Sequence, residues 1–257
     1  MKVLLTNDDG IDAVGIRAVY DRLSSVADVT VVAPATDQSA VGRQLSRSVD
    51  LYEHEMGYAV KGTPGDCVIA ALGSLDIDPD IVVAGANHGA NLGTYVLGRS
   101  GTVSAAVEAA FFDVPAIAAS VYFPAGEFSF EEFSPDPEQF REATRAIEYL
   151  VERAPNAGVF ETADYLNINA PIPSGEGAAP MAVTRPSHVY EMDAERSDDG
   201  TIRIHDRIWE MMADGSVPDP EGSDRRAVLE GRVSVSPLTA PHTTTDDGAL
   251  SGLADAY

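Results

Sequence analysis

Three places in the chain set oxygen-bearing side chains directly after short apolar runs: Asn7-Asp8-Asp9-Gly10, Thr36-Asp37-Gln38-Ser39 and Gly85-Ala86-Asn87. Ligands of open parallel sheets lie outside the carboxyl ends of the strands, so three such ends can share one site. Two carboxylates (Asp8, Asp9), a hydroxyl (Ser39) and an amide carbonyl (Asn87) are hard donors that suit Mg2+, Mn2+ or Ca2+ rather than zinc. Neighbours on a regular strand point to opposite faces. At a turn that leaves through Gly10, the backbone can aim both aspartates inward. The same Asn-Asp-Asp-Gly string is also ordinary turn and helix-cap chemistry, so it is the three strand ends together that point to a metal.

The second ingredient is an anion site. Ser100-Gly101-Thr102 precedes an Ala/Val-rich segment with helical character. A helix start there offers free N–H groups and two hydroxyls, a natural cradle for phosphate. Ser100 or Thr102 acting simply as the helix cap is the competing reading. Gly89, Gly93 and Gly98 allow close backbone approach, Asn87 and Asn91 could orient a ligand, and Arg99 and His88 could add positive charge. None of the five histidines has metal-motif spacing, and a solvated turn position is the plainer reading of His88. Metal and phosphate cradle together imply hydrolysis of a phosphate ester by an activated water. One of Asp8 and Asp9 then ligates directly; the other ligates, orients water or assists proton transfer, and a carboxylate nucleophile stays open.

These residues need a scaffold, and the first half alternates strand and helix patterns, the sign of a mainly parallel Rossmann-like sheet with helices on both faces. Strands are predicted at Val3–Thr6, Val29–Ala33, Ile81–Ala84, Ala116–Val121 and Leu166–Asn169, with hairpin or edge strands between Arg43 and Val60. Helices are predicted at Val14–Leu23, from Pro64 through Leu72, at Val103–Phe112 and at Pro137–Val151, with a Pro-, Phe- and Glu-rich loop over 122–137. Beyond that the pattern changes. Val183–Glu191 and Thr201–Trp209 alternate like hairpin strands around the turn Ser197–Gly200, and a last strand is expected near Arg232–Val235. The expected division is a catalytic core over 1–180 and a smaller β-rich region over 181–257 for substrate enclosure and subunit contacts.

Composition bounds the partners. With 17 basic and 41 acidic residues in 257, the formal net charge is −24, the wrong sign for nonspecific binding of polymeric nucleic acid. Lysine occurs only at positions 2 and 61. Such a surface repels itself in dilute buffer, whereas molar salt cuts the Debye length to ~3 Å, so a salt-adapted protein is expected. No apolar run is long enough to span a bilayer and no secretory leader pattern is present, which points to the cytoplasm. Cys67 is alone in an apolar run, excluding an internal disulfide and a Cys-based zinc site; a buried small hydrophobe is its reading.

Taken in order, Val3–Gly10 with Gly15, Val32-Ala33-Pro34 before Ser39-Ala40, Gly62-Thr63-Pro64 with Asp66-Cys67, Gly85-Ala86-Asn87 with Gly89 and Asn91, and Ser100-Gly101-Thr102-Val103 resemble the SurE family of survival-protein nucleotidases. Leu166-Asn167-Ile168-Asn169 and the closing stretch from Ser223-Asp224 to Pro237-Leu238 extend the likeness over roughly residues 2–238. The resemblance implies a Rossmann-like core, homodimers or homotetramers, and divalent-metal-dependent hydrolysis of nucleoside 5′- or 3′-monophosphates. It also implies Asp8, Asp9, Ser39 and Asn87 as metal ligands, with Asn91 and Ser100-Gly101-Thr102 facing the substrate phosphate. His88 stands where the family commonly has arginine. A catalytically silent nucleotide-binding protein is the alternative; it would bind the nucleotide and release no phosphate.

Overall fold

The computed structural model describes residues 1–124 and 135–240. Part of the predicted 122–137 loop and the acidic end of the 181–257 region lie outside the described residues. The apolar runs become strands of one large sheet because each is bounded by a turn former or proline and too short for a stable helix. In chain order these are β1 (Lys2–Thr6), β2 (Asp28–Pro34), the hairpin β3 (Asp50–His54) and β4 (Gly57–Lys61), β5 (Ile81–His88), β6 (Ala116–Tyr122) and β7 (Tyr165–Pro171). After them come β8 (Met181–Val183), β9 (Met192–Arg196), β10 (Ile202–Asp206) and β11 (Val233–Leu238). The sheet order is β3-β4-β2-β1-β5-β6-β7-β11-β8. From β4 to β7 the neighbours are parallel, while β3 and β11 run antiparallel to β4 and β7.

Helices cover both faces. The set is α1 (Val14–Leu23), α2 (Pro64–Ser74), α3 (Thr94–Leu97), α4 (Gly101–Phe111), α5 (Arg141–Arg153), α6 (Arg207–Ala213) and α7 (Asp224–Leu229). The period-two alternation of strand side chains separates two cores. Val3 and Leu5 of β1 pack with Ile16 and Val19 of α1 and Ile147 of α5. Leu4 faces the other way, onto Cys67 and Val68 of α2 and Val103 and Val107 of α4. Cys67 is thus a core residue, and burial pushes its thiol far up.

The hairpin expected between 43 and 60 is present, at the sheet edge. Further on, the structure corrects the strand assignments. Only Met181–Val183 of the predicted 183–191 neighbourhood is a strand, and it pairs with β11 in the main sheet. The separate hairpin joins Met192–Arg196 to Ile202–Asp206. Its second strand stops at Asp206 because that side chain accepts from Ile208 N–H and starts α6, so capping ends the alternation before Trp209. Within the 181–257 region, therefore, β8 and β11 belong to the large sheet and the β9–β10 ribbon stands off it.

Candidate active site

Asn7 Nδ2 donates to the Gly10 carbonyl at 2.7 Å and Gly10 adopts φ +99°, which together turn the chain sharply out of β1. A side chain at Gly10 would also lie 3.2 Å from the Thr36 carbonyl carbon, so the turn rests directly on the segment after β2. The two aspartates diverge from this turn. Asp8 is buried against the start of α4: Thr102 Oγ1 donates to its Oδ1 at 2.6 Å, and Thr102 N–H to its Oδ2 at 3.1 Å. A Cβ on Gly101 would meet Asp8 Cβ at 2.8 Å, so the helix start closes on the carboxylate only through glycine. Asp9 accepts from His88 N–H at the end of β5, at 2.9 Å. It lines a cavity of about 310 Å3 shared with Asp37, His88, Val14 and Phe140.

The segment carrying Ser39 is tied to the same turn, since Gln38 N–H donates to the Asp8 carbonyl at 2.7 Å. Ser39 donates both N–H and Oγ–H to Asp37 Oδ1, at 2.7 and 2.6 Å. Farther along, Arg43 pairs with Glu108 of α4 at 2.8 Å and Ser46 N–H donates to Asp66, whose carboxylate also closes the α2 capping box with Thr63. Asn87 Nδ2 donates to the Gly89 carbonyl at 2.5 Å, which leaves Oδ1 as the amide's acceptor atom. The β5–β6 register shifts between Ala84 and Asn87, and Gly15 of α1 packs so closely that a Cβ would lie 1.9 Å from the Ala86 carbonyl oxygen.

Asn91 is pinned from several sides. Its N–H donates to Asn169 Oδ1, its Nδ2 to Ser120 Oγ, and its carbonyl accepts from Asn167 and Asn169. Ser100 caps α4 by accepting from Val103 N–H. With both Thr102 donors spent on Asp8, the anion at this helix start is the Asp8 carboxylate itself.

The electrostatics follow from burial. Desolvation raises the Asp8 carboxyl, opposed by the Thr102 hydroxyl and amide, and Asp37 raises it further. Asp9 is pushed up to about 7, first by burial, then by Asp8, with His88 N–H opposing and Asp37 adding. Among the described residues no lysine or arginine offsets these charges. Burial also lowers the His88 imidazole, which favours its neutral form. Among the described residues no group of three or more His, Cys, Asp or Glu could hold a metal. What the described contacts do bring together is Asp9, Asp37 and His88 around one cavity, with Asp8 beside them and the Ser39 segment tied to the Asp8 carbonyl through Gln38. Carboxylates whose ionisation is resisted first by burial and then by one another fit a hard divalent cation, which would restore them to the charged form.

Asp37 was legible only as part of an oxygen-rich string; its position two residues before Ser39 is the Asx-turn signature that could have singled it out. Asp224 and Arg225 escaped notice as site supports. Asp224 accepts from Gly93 N–H at 2.7 Å and Ser187 N–H at 3.0 Å, while fully buried Arg225 lies where a Gly93 Cβ would have to go. No local pattern announces that contact.

The profile described as survival protein SurE matches residues 3–192. A Natronomonas pharaonis protein named 5′-nucleotidase SurE is 73% identical across the whole of both chains. Its Haloarcula marismortui namesake is 63% identical over 99% of this chain and 94% of its own. The crystal structure of the SurE protein from Aquifex aeolicus superposes with a TM-score of 0.79 at 31% identity, covering 95% of each chain.

Proposed function

Because the chain belongs to the SurE family, we propose that it is a 5′-nucleotidase, a phosphoric monoester hydrolase that releases phosphate from nucleoside 5′-monophosphates. The finer reading is a metal-dependent reaction on nucleoside 5′- or 3′-monophosphates, with one Mg2+ or Mn2+ per subunit held by Asp8, Asp9, Ser39 and Asn87. The observation that carries it is the buried Asp8 carboxylate, gripped by Thr102 and set beside Asp9 and Asp37, with no lysine or arginine among the described residues that balances them.

A bound divalent ion supplies Lewis-acid polarisation of the phosphoryl group and a water of lowered pKa. The chain's own residues do the positioning. Thr102 holds Asp8 in one orientation, and His88 N–H does the same for Asp9 at the cavity edge. From there Asp9 can ligate, orient the attacking water or assist its proton transfer. Asn91, held by Ser120 and Asn169, and the Ser100-Gly101-Thr102 turn bound the side from which the substrate phosphate is taken to approach.

Exposed Val183, Ile202 and Ile204 support homodimer or homotetramer contacts through the 181–257 region. A cytoplasmic location is part of the same reading; no helix among the described residues is long and apolar enough to cross a membrane. The test is Asp8→Asn in molar KCl with Mg2+ or Mn2+. Hydrolysis of an aryl phosphate and of a nucleoside 5′-monophosphate should be abolished while the circular dichroism spectrum is kept. Retention of more than a small fraction of activity refutes the assignment.

A further inference from the structure

Ser39 and Asp37 are both exposed, yet their contact is specific: one carboxylate oxygen takes the serine N–H and the serine hydroxyl together. A serine hydroxyl has a single proton and two lone pairs. Once the proton is given to a carboxylate, the oxygen can act toward everything else only as an acceptor, and the charge-assisted bond enriches its electron density. A serine without such a partner rotates among water contacts and must be reoriented before its lone pairs meet a cation. Asp37 is itself held in place. Gln38 N–H reaches back to the Asp8 carbonyl, and the Asp37 backbone nitrogen lies 3.4 Å from where a Gly10 Cβ would stand. The turn that aims Ser39 is therefore fastened to the turn that carries the two aspartates.

We propose that Asp37 is a positioning residue that fixes the Ser39 hydroxyl as a lone-pair donor to a divalent cation bound by Asp8 and Asp9. This rests on the reading of Ser39 as a ligand. Outer partners that orient metal ligands typically carry 10–100-fold in metal affinity.

The test is direct Mn2+ binding to the metal-stripped full chain in molar KCl, read from the electron paramagnetic resonance signal of free Mn2+, with no turnover required. Asp37→Ala should raise the Mn2+ Kd by about ten-fold, the lower end of that range. Asp37→Asn keeps an acceptor oxygen and should stay within about three-fold of the parent. In a Ser39→Ala background, Asp37→Ala should add no further loss, because the two residues act as one unit. A parent-like Kd in Asp37→Ala overturns the inference. So does an equal loss in the alanine and asparagine variants, which would make Asp37 a ligand or a bare charge, and so does an undiminished loss without Ser39. An Asp8→Asn protein that binds Mn2+ as tightly as the parent overturns the site, and this inference with it. Loss in Asp8→Asn beside no change in Asp37→Ala overturns the inference alone.

Discussion

Replacing Asp9 with Asn should disable the site and yet stabilise the metal-free fold. The Asp9 carboxyl stands at about 7 rather than 3.8, chiefly through burial and then through Asp8. An acid whose folded value lies above its unfolded one favours the fold while it is protonated. That contribution is complete below the ordinary carboxylate range and is lost as pH rises through about 7. At 1.36 kcal/mol per pH unit, ionised Asp9 costs the metal-free fold on the order of 4 kcal/mol at pH 8. Asparagine removes that cost and keeps an oxygen to accept from His88 N–H, whose pull on the charged form is already contained in the value of about 7. The gain is at most about 4 kcal/mol, or roughly 8–16 °C in melting temperature for a chain of this size.

The assay is thermal melting of metal-free protein in molar KCl with a chelator, at pH 5 and pH 8. Burial, the larger cause, does not depend on salt, and repulsion between groups this buried is screened far less than at the surface. The variant should therefore melt higher at pH 8, and the advantage should shrink at pH 5, where the parent carboxyl is protonated. Added Mn2+ should raise the parent and leave the variant nearly unmoved. An Asp9→Asn protein that melts at or below the parent at pH 8 without metal would refute the reasoning.

Thr102→Val deletes the 2.6 Å bond to Asp8 Oδ1 at a fully buried position while keeping the side-chain shape and the backbone amide. A lost bond to a charged group is worth about 1.5–3 kcal/mol, so kcat/KM for a nucleoside 5′-monophosphate should fall by roughly 10–100-fold. Because that bond lowers the Asp8 carboxyl, the acid limb of the pH profile should move to higher pH, and Thr102→Ser should restore most of both. Dilution from molar KCl to about 0.1 M lengthens the Debye length to ~10 Å and exposes a net charge of −24 to itself, so the melting temperature should fall. An unchanged melting curve across that range would remove the case for salt adaptation.

What the sequence made legible was local. The apolar runs at Val3–Thr6, Ile81–Ala84 and Ala116–Val121 could hardly be anything but interior strands, and Thr63-Pro64-Gly65-Asp66 spells out the capping box that starts α2. The hidden parts are contacts between distant segments. Thr102 meets Asp8 across 94 positions, and nothing near either residue says that the helix start will hold a carboxylate. The entry of β8 and β11 into the large sheet is of the same kind, because edge pairing depends on which strand lies free. The misread stretch near Trp209 had a different cause: alternation and helix capping compete locally, and Asp206 decides for the helix.

Charge acts on this protein at two ranges, and salt separates them. In molar salt the exposed carboxylates are screened within ~3 Å, so the surface can supply solubility but no selection among anions. Asp8 and Asp9 sit where burial weakens that screening. They remain the place where negative charge still opposes a phosphate dianion. Discrimination must then come from groups within a few ångströms of the reacting atoms: carboxylates that need a countercharge, a serine whose proton is already committed, and a helix start occupied by Asp8. On the proposed reading, a divalent cation turns this cluster from repelling phosphate to holding it, because the positive charge it adds lies at the one point the solvent ions do not neutralise.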